Sequence, residues 1–380
     1  MKTIKIIGIS IITLVVIVFV FDLGYLINGV SKTYLKGFKG PNIYDLNYFP
    51  SQIIKPDTKE TTFYRRSLTF TDIFPEEYAQ ANGEIHTEYF SVSKGDSLLF
   101  EFQSEENIDQ KVSNSFSMAK SFTSLCAAKA IELGYIKSWT EPIQNYLPQL
   151  DPELGKQGIA NFLGMCSGLE WSESGANPFS DNAKAYYGNN LNGLVSEKGA
   201  ISNEIGKYQY KSGNTQIAAM VIEKSTGESL PAFFEKHFWS KTAANKAFWG
   251  KDKEEGHAKA YCCVYAEGRD FHRLGQVLLD SGNADGLQLI RADLLEDLFL
   301  PFADSTALGE KNELYGIGFW LDNYKGHDII YARGILGQYI ILVPDLDMVI
   351  CRLGKKRMTL TDKHHPKDLY LYLDFALSIL

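Results

Sequence analysis

The sequence predicts an α+β fold in which an antiparallel sheet is assembled from opposite ends of the ordered chain. Three observations predict it. Residues 87–93 alternate, break at Lys94-Gly95-Asp96 and resume over 97–103, which is the pattern of a β-hairpin. Residues 329–331, 338–343 and 348–353 form a second group of strand-like runs near the C-terminus, with Pro344-Asp345-Leu346-Asp347 as a turn. Between the two groups the apolar residues switch to helical spacing. Strands at both ends with helices inserted between them give a sheet with a helical subdomain beside it.

At the N-terminus, Lys2 and Lys5 precede an uncharged run over residues 6–21, rich in Ile and Val, and residues 23–27 extend it past Asp22. The run is longer than a usual signal core, and neither an Ala-x-Ala-like cleavage site nor a lipobox cysteine follows. It reads as a membrane anchor with a basic cytoplasmic flank, or alternatively as a cleaved signal. A third reading is an ordinary buried helix; in the first two cases residues beyond about 30 lie outside the cytoplasmic membrane. Residues 1–30 are assigned to this segment. Residues 31–80, polar and Pro-bearing, form a spacer or wrapping segment. Residues 81–380 form the main domain, with a helical subdomain at about 135–205.

In the main domain, Ala119, Phe122, Leu125, Cys126, Ala130 and Ile131 recur at i, i+3, i+4 spacing up to Gly134 and predict a helix. Further helices are predicted over 215–224, ended by Ser225-Thr226-Gly227, over 270–279, ended by Ser281-Gly282, and over 367–379. The 380 residues are 45% hydrophobic and 22% charged, the balance of a folded chain with a sizeable core. A net charge of −8 argues against nucleic acid as a partner, because phosphate binding needs a basic surface. Five cysteines at uneven spacing suggest no disulfide framework and no zinc site. Adjacent Cys262 and Cys263 are expected to stay reduced, since the ring closed by bridging neighbours is strained. His86, His237, His257, His272 and His327 are isolated, and His364-His365 reads as an exposed pair.

Ser-x-x-Lys occurs as Ser91–Lys94 and as Ser117–Lys120, and a chain of this length matches the pattern by chance. Position separates the two. In a strand running into a turn, Ser91 and Lys94 do not meet. At a helix start, positions i and i+3 share a face, so the Lys120 amine reaches the Ser117 hydroxyl. A serine hydroxyl needs a base to become a nucleophile. Lysine serves as one only if burial or a cationic neighbour lowers its pKa from about 10.4.

Residues 116–124, Phe-Ser-Met-Ala-Lys-Ser-Phe-Thr-Ser, resemble the nucleophile segment of serine β-lactamases and penicillin-binding proteins. The likeness is to the class C-like branch, with its esterases and 6-aminohexanoate-dimer hydrolases. Leu163-Gly164-Met165-Cys166-Ser167-Gly168-Leu169-Glu170-Trp171 is similar to that branch's L-x-M-x-S-G-L-x-W stretch. Tyr210-Lys211-Ser212 resembles its Tyr-x-Asn/Ser motif, and Ala332-Arg333-Gly334-Ile335 stands where it has Lys/His-x-Gly. The resemblance spans roughly residues 80–380.

This resemblance implies a β-lactamase/transpeptidase-like fold and a serine hydrolase of small amides or esters. Ser117 would be acylated, with Lys120 and Tyr210 as base and proton relay. Ser212 would join their hydrogen-bond network, and the N–H groups of Ser117 and Ile335, beside Gly334, would form the oxyanion hole. Tyr187 is a candidate for the pocket lining. Ala332 replaces the family's Lys or His, and Arg333 would compensate only if it reached the pocket from the strand's other face. No metal or organic cofactor is implied, and the oligomeric state is open. Two rival readings are a D,D-carboxypeptidase or β-lactamase, and a catalytically silent membrane-tethered binding or sensor protein.

Overall fold

A computed structural model describes residues 23–57, 65–242 and 245–380. In chain order, the strands used below are β1 (Ser51–Ile54), β2 (Arg65–Thr71), β3 (Thr87–Lys94), β4 (Ser97–Gln103), β5 (Ser113–Asn114), β6 (Ala247–Gly250), β7 (Val264–Ala266), β8 (Trp320–Tyr324), β9 (His327–Gly334), β10 (Gln338–Val343) and β11 (Met348–Gly354). The helices are α1 (Gly24–Lys32), α2 (Ala119–Glu132), α3 (Asp181–Tyr187), α4 (Ser212–Thr226), α5 (Gly268–Leu279) and α6 (Lys367–Ser378).

The predicted hairpin is β3 and β4, and the C-terminal group is β9, β10 and β11. They join one seven-stranded sheet in the order β8-β9-β10-β11-β3-β4-β2. All neighbours are antiparallel except the edge strand β2, which runs parallel to β4. The two ends of the chain meet where β11 pairs with β3, with Cys351 opposite Ser91. Side chains alternate across this sheet as period two demands. Ala332, Ile340, Leu342, Val349 and Cys351 face the core that contains α2 and α5. Tyr331, Tyr339, Ile341 and Ile350 face a second core closed by α6.

Helix α2 is buried from Ala119 to Ala130, on every side. Its small residues, Ala, Ser, Thr and Cys, suit a central helix better than the one-sided stripe its spacing suggested. Beside it lies α4, closed as predicted at Gly227, which sits at φ +73° in the left-handed region. A smaller sheet, β1-β6-β7-β5, lies on the same side.

Residues 31–80 put β1 into the smaller sheet and β2 onto the edge of the larger one, and add a helix over Glu76–Glu84. The expected anchor over 6–21 lies outside the described residues. Among the described residues no helix is long and apolar enough to cross a membrane. Residues 23–27, expected to extend the anchor, instead open α1, which packs on α3 with Tyr25 buried.

Candidate active site

Ser117 lies in a single 3₁₀ turn, Phe116–Met118, that leads into α2. The preceding Phe116 has φ +44°, a backbone state that costs energy for a bulky residue and must be held by its surroundings. It is held: Asn114 Oδ1 accepts from Phe116 N at 2.9 Å, and Ser115 exchanges hydrogen bonds with Val264 of β7. The end of β9 presses on the same turn. A Cβ at Gly334 would stand 2.2 Å from Ser115 O and 3.1 Å from Phe116 Cβ, so only glycine allows this approach. The approach brings Ile335 to the wall of the Ser117 cavity.

Lys120, one helical turn on, is 1% exposed. Its Nζ donates to Ser117 Oγ at 2.9 Å and to the carbonyl of Tyr261 at 3.0 Å. The same nitrogen stands 4.9 Å from the ring centre of Tyr210 and 5.6 Å from that of Tyr261. Tyr210 thus meets Lys120 through its ring face, wedged against Tyr315 and Trp320, rather than through a hydroxyl bond. Burial pushes the Tyr261 phenol well above its ordinary pKa. Tyr261 carried no signal in the sequence, because its contribution is a backbone carbonyl.

The other Ser-x-x-Lys pair does not meet. Ser91 is buried and hydrogen-bonded to His272 Nδ1, while Lys94 is exposed. Ser212 departs from its expected role. Its N–H and Oγ both donate to Glu173, at 2.6 and 2.8 Å. As the first residue of α4 it carries an unsatisfied helix-end N–H, and a carboxylate there is favoured by the helix dipole. Glu173 therefore anchors the Tyr210–Ser212 segment, a link whose partners lie 39 residues apart.

Ala332 is buried in the core below the sheet, whereas Arg333 lines the cavity. Its guanidinium carbon lies 3.4 Å from the Trp320 ring centre, and Nη1 donates to His364 O at 2.7 Å. Among the described residues, neither Arg333 nor the other cavity arginine, Arg357, has a carboxylate partner. The turn after Gly334 is fastened from behind. Gln338 Nε2 donates to Ile335 O at 3.0 Å and to Gly354 O at 2.7 Å, and buried Arg352 donates to Leu336 O and Gly337 O.

Ser117, Tyr210, Ser212, Arg333, Gly334, Ile335 and Tyr187 all line one cavity of about 600 Å³, whereas Lys120 lies beneath Ser117. Two expectations from the sequence fail near it. Cys262 and Cys263 are joined as a disulfide, and Cys262 faces the cavity. Cys263 adopts φ +71°, a turn that brings the neighbouring sulfurs to the same side, which sequence adjacency alone does not reveal. Nor is His365 exposed: it is fully buried, accepts or donates at 2.7 Å with Tyr331 Oη, and burial lowers its pKa to about 4. His364 next to it is exposed, so the pair divides between core and surface.

Known proteins share this architecture. The chain is 23% identical over 289 residues to a 6-aminohexanoate-dimer hydrolase of Paenarthrobacter ureafaciens, covering 71% of this chain and 73% of that protein. A Bacillus anthracis structure, whose description as a 6-aminohexanoate-dimer hydrolase is itself provisional, superposes with a TM-score of 0.74 at 18% identity, over 88% of this chain and 91% of the other. A family VIII carboxylesterase superposes at 0.62 with 15% identity, over 82% and 99%. The family model described as Beta-lactamase matches residues 107–370, well over half of the sequence, and on that match the chain belongs to the beta-lactamase family.

Proposed function

We propose that this protein is a serine hydrolase that cleaves small amides or esters through an acyl-enzyme on Ser117. The contact that carries the reading is Lys120 Nζ at 2.9 Å from Ser117 Oγ, with its other acceptor fixed at Tyr261 O. In the amine form Lys120 takes the hydroxyl proton as Oγ bonds to the substrate carbonyl carbon. The carbonyl oxygen gains charge against the N–H groups of Ser117 and Ile335. Collapse breaks the bond to the amine or alcohol, which leaves with the proton held by Lys120; Tyr210, whose ring lies against the Lys120 amine, is the relay that the family motif implies. Water then adds to the acyl group by the same route, releasing the acid and restoring Ser117. Arg333 is the group that would take an anionic substituent of the substrate, in the stead of the side chain missing at Ala332. The apolar run over 6–21 would hold the catalytic domain at the outer face of the cytoplasmic membrane.

The test is a fluorophosphonate probe with mass spectrometry of the Ser117 peptide, followed by a panel of amides and esters. Labelling at Ser117 and turnover lost in Ser117→Ala are the expected results. A folded protein left unlabelled, with equal residual activity in Ser117→Ala, would make it a silent member of the fold. Rapid labelling by a fluorescent penicillin would instead favour action on cell-wall peptides or β-lactams.

A further inference from the structure

One wall of the Ser117 cavity comes from α1, upstream of the segment 107–370 that matches the family. Tyr25, Leu26, Gly29, Val30 and Thr33 line it, at i, i+1, i+4, i+5 and i+8, a single face of a helix. That wall is fastened down. Asn28 Nδ2 donates to Tyr187 O at 3.1 Å, and Gly29 lies so close to the Tyr187 ring that a Cβ there would stand 3.3 Å from Cδ2. Tyr187 in turn packs on Phe49 and Tyr186, so α1 is held against the same aromatic cluster that walls the cavity.

Tyr25 is buried against the rest of the fold and Leu26 is half-buried, but other apolar side chains around the cavity are left in water. Val30 is 46% exposed, and Phe179 and Ile335, which line the same cavity, are 62% and 48% exposed. Large apolar groups left in water around a cavity that ends at a nucleophile mark a binding surface for apolar substrate. Resting on the reading of Ser117 as nucleophile, we propose that the cavity takes a substrate with a linear apolar chain, longer than that of an acetyl ester, laid against α1. The substrate class is thus an amphiphilic ester or amide. Its carbonyl lies at Ser117 and Ile335, and its chain runs over Val30 and Phe179.

The test uses the full-length protein in detergent below its micelle concentration. kcat/KM is measured for p-nitrophenyl acetate against the octanoate, and for ethyl acetate against octyl acetate. A methylene moved fully out of water is worth about four-fold, so two or three such groups suffice for a ten-fold preference. At least one long-chain substrate is expected to be preferred ten-fold or more. Val30→Asp and Phe179→Asp, both at exposed positions that need no repacking, are expected to cut that ratio at least five-fold. Ile53→Asp, equally exposed on β1 and away from the cavity, should leave the ratio alone. An active enzyme with flat chain-length profiles in both series, or with a preference untouched by both cavity variants, overturns the proposal and leaves the hydrolase reading standing. A protein inert to every ester and unlabelled by alkyl fluorophosphonate overturns both.

Discussion

Lys120 has two hydrogen-bond acceptors, Ser117 Oγ and Tyr261 O, and, among the described residues, no carboxylate partner; in the proposed reaction it is the base for Ser117. Lys120→Met keeps the length of the stem and removes the amine. It is expected to lower kcat by about 10²- to 10⁴-fold, the usual worth of a positioned base, with an unchanged circular-dichroism spectrum. Retention of a tenth of the activity would remove Lys120 from the mechanism. For Arg333 the proposed role is recognition. Stacked on Trp320 and tied by one nitrogen to His364 O, its guanidinium keeps donors for a carboxylate. A hydrogen bond to a charged group is worth about 1.5–3 kcal/mol, so Arg333→Ala should raise KM about 10- to 100-fold for a carboxylate-bearing ester. The neutral analogue of the same ester serves as the comparison, and an equal rise for both would show that Arg333 only shapes the wall.

At the scale of elements, the site depends on how the β9–β10 turn is held. Leu336 and Gly337 have φ +63° and +87°, and the carbonyls of residues 335–337 are taken up by Gln338 and Arg352. Gln338 is a positioning residue, since it touches the turn and not the cavity. Gln338→Ala should loosen the Ile335 N–H and reduce kcat about ten-fold, a fraction of the 10²–10³ measured for losing an oxyanion donor outright. A KM change without a kcat change would contradict that role. The Gly334-Ile335 pair was legible in the sequence from its motif. Gln338 and Arg352 were not, because their partners include Gly354 O and Ile85 O, carbonyls that any residue would supply. The same holds for Glu173, whose bond to Ser212 exists only once the 171–174 loop folds over the start of α4.

For the whole molecule, two buried imidazoles set a pH dependence. Burial lowers His272 to about 3 and His365 to about 4, whereas an exposed histidine titrates near 6.5. Between those values the unfolded chain binds more protons than the folded one, so stability rises with pH across this window. The melting temperature should therefore fall as pH is lowered from 7 through 6.5 towards 4. His365→Phe should make the fall shallower, and an unchanged slope would mean that other groups control it. Fractionation addresses the N-terminal run at the same scale. The full chain should sediment with membranes and be released by detergent, whereas release by salt or carbonate alone would exclude an inserted anchor.

The sequence by itself determined the hairpin, the C-terminal strands, the central helix and the Ser117–Lys120 pair, because those rest on spacings of one to four residues that local geometry converts into faces and turns. It also carried the order of motifs that identifies the family. Tertiary structure decided the rest. It paired β11 with β3, turned Arg333 rather than Ala332 towards the cavity, gave Ser212 to Glu173 and Lys120 to the Tyr261 carbonyl, and drew α1 into the cavity wall. Each of these depends on atoms far apart in the chain, several of them backbone groups common to every residue. Their meeting is fixed by how the sheet and helices pack, and no local pattern in the sequence records it.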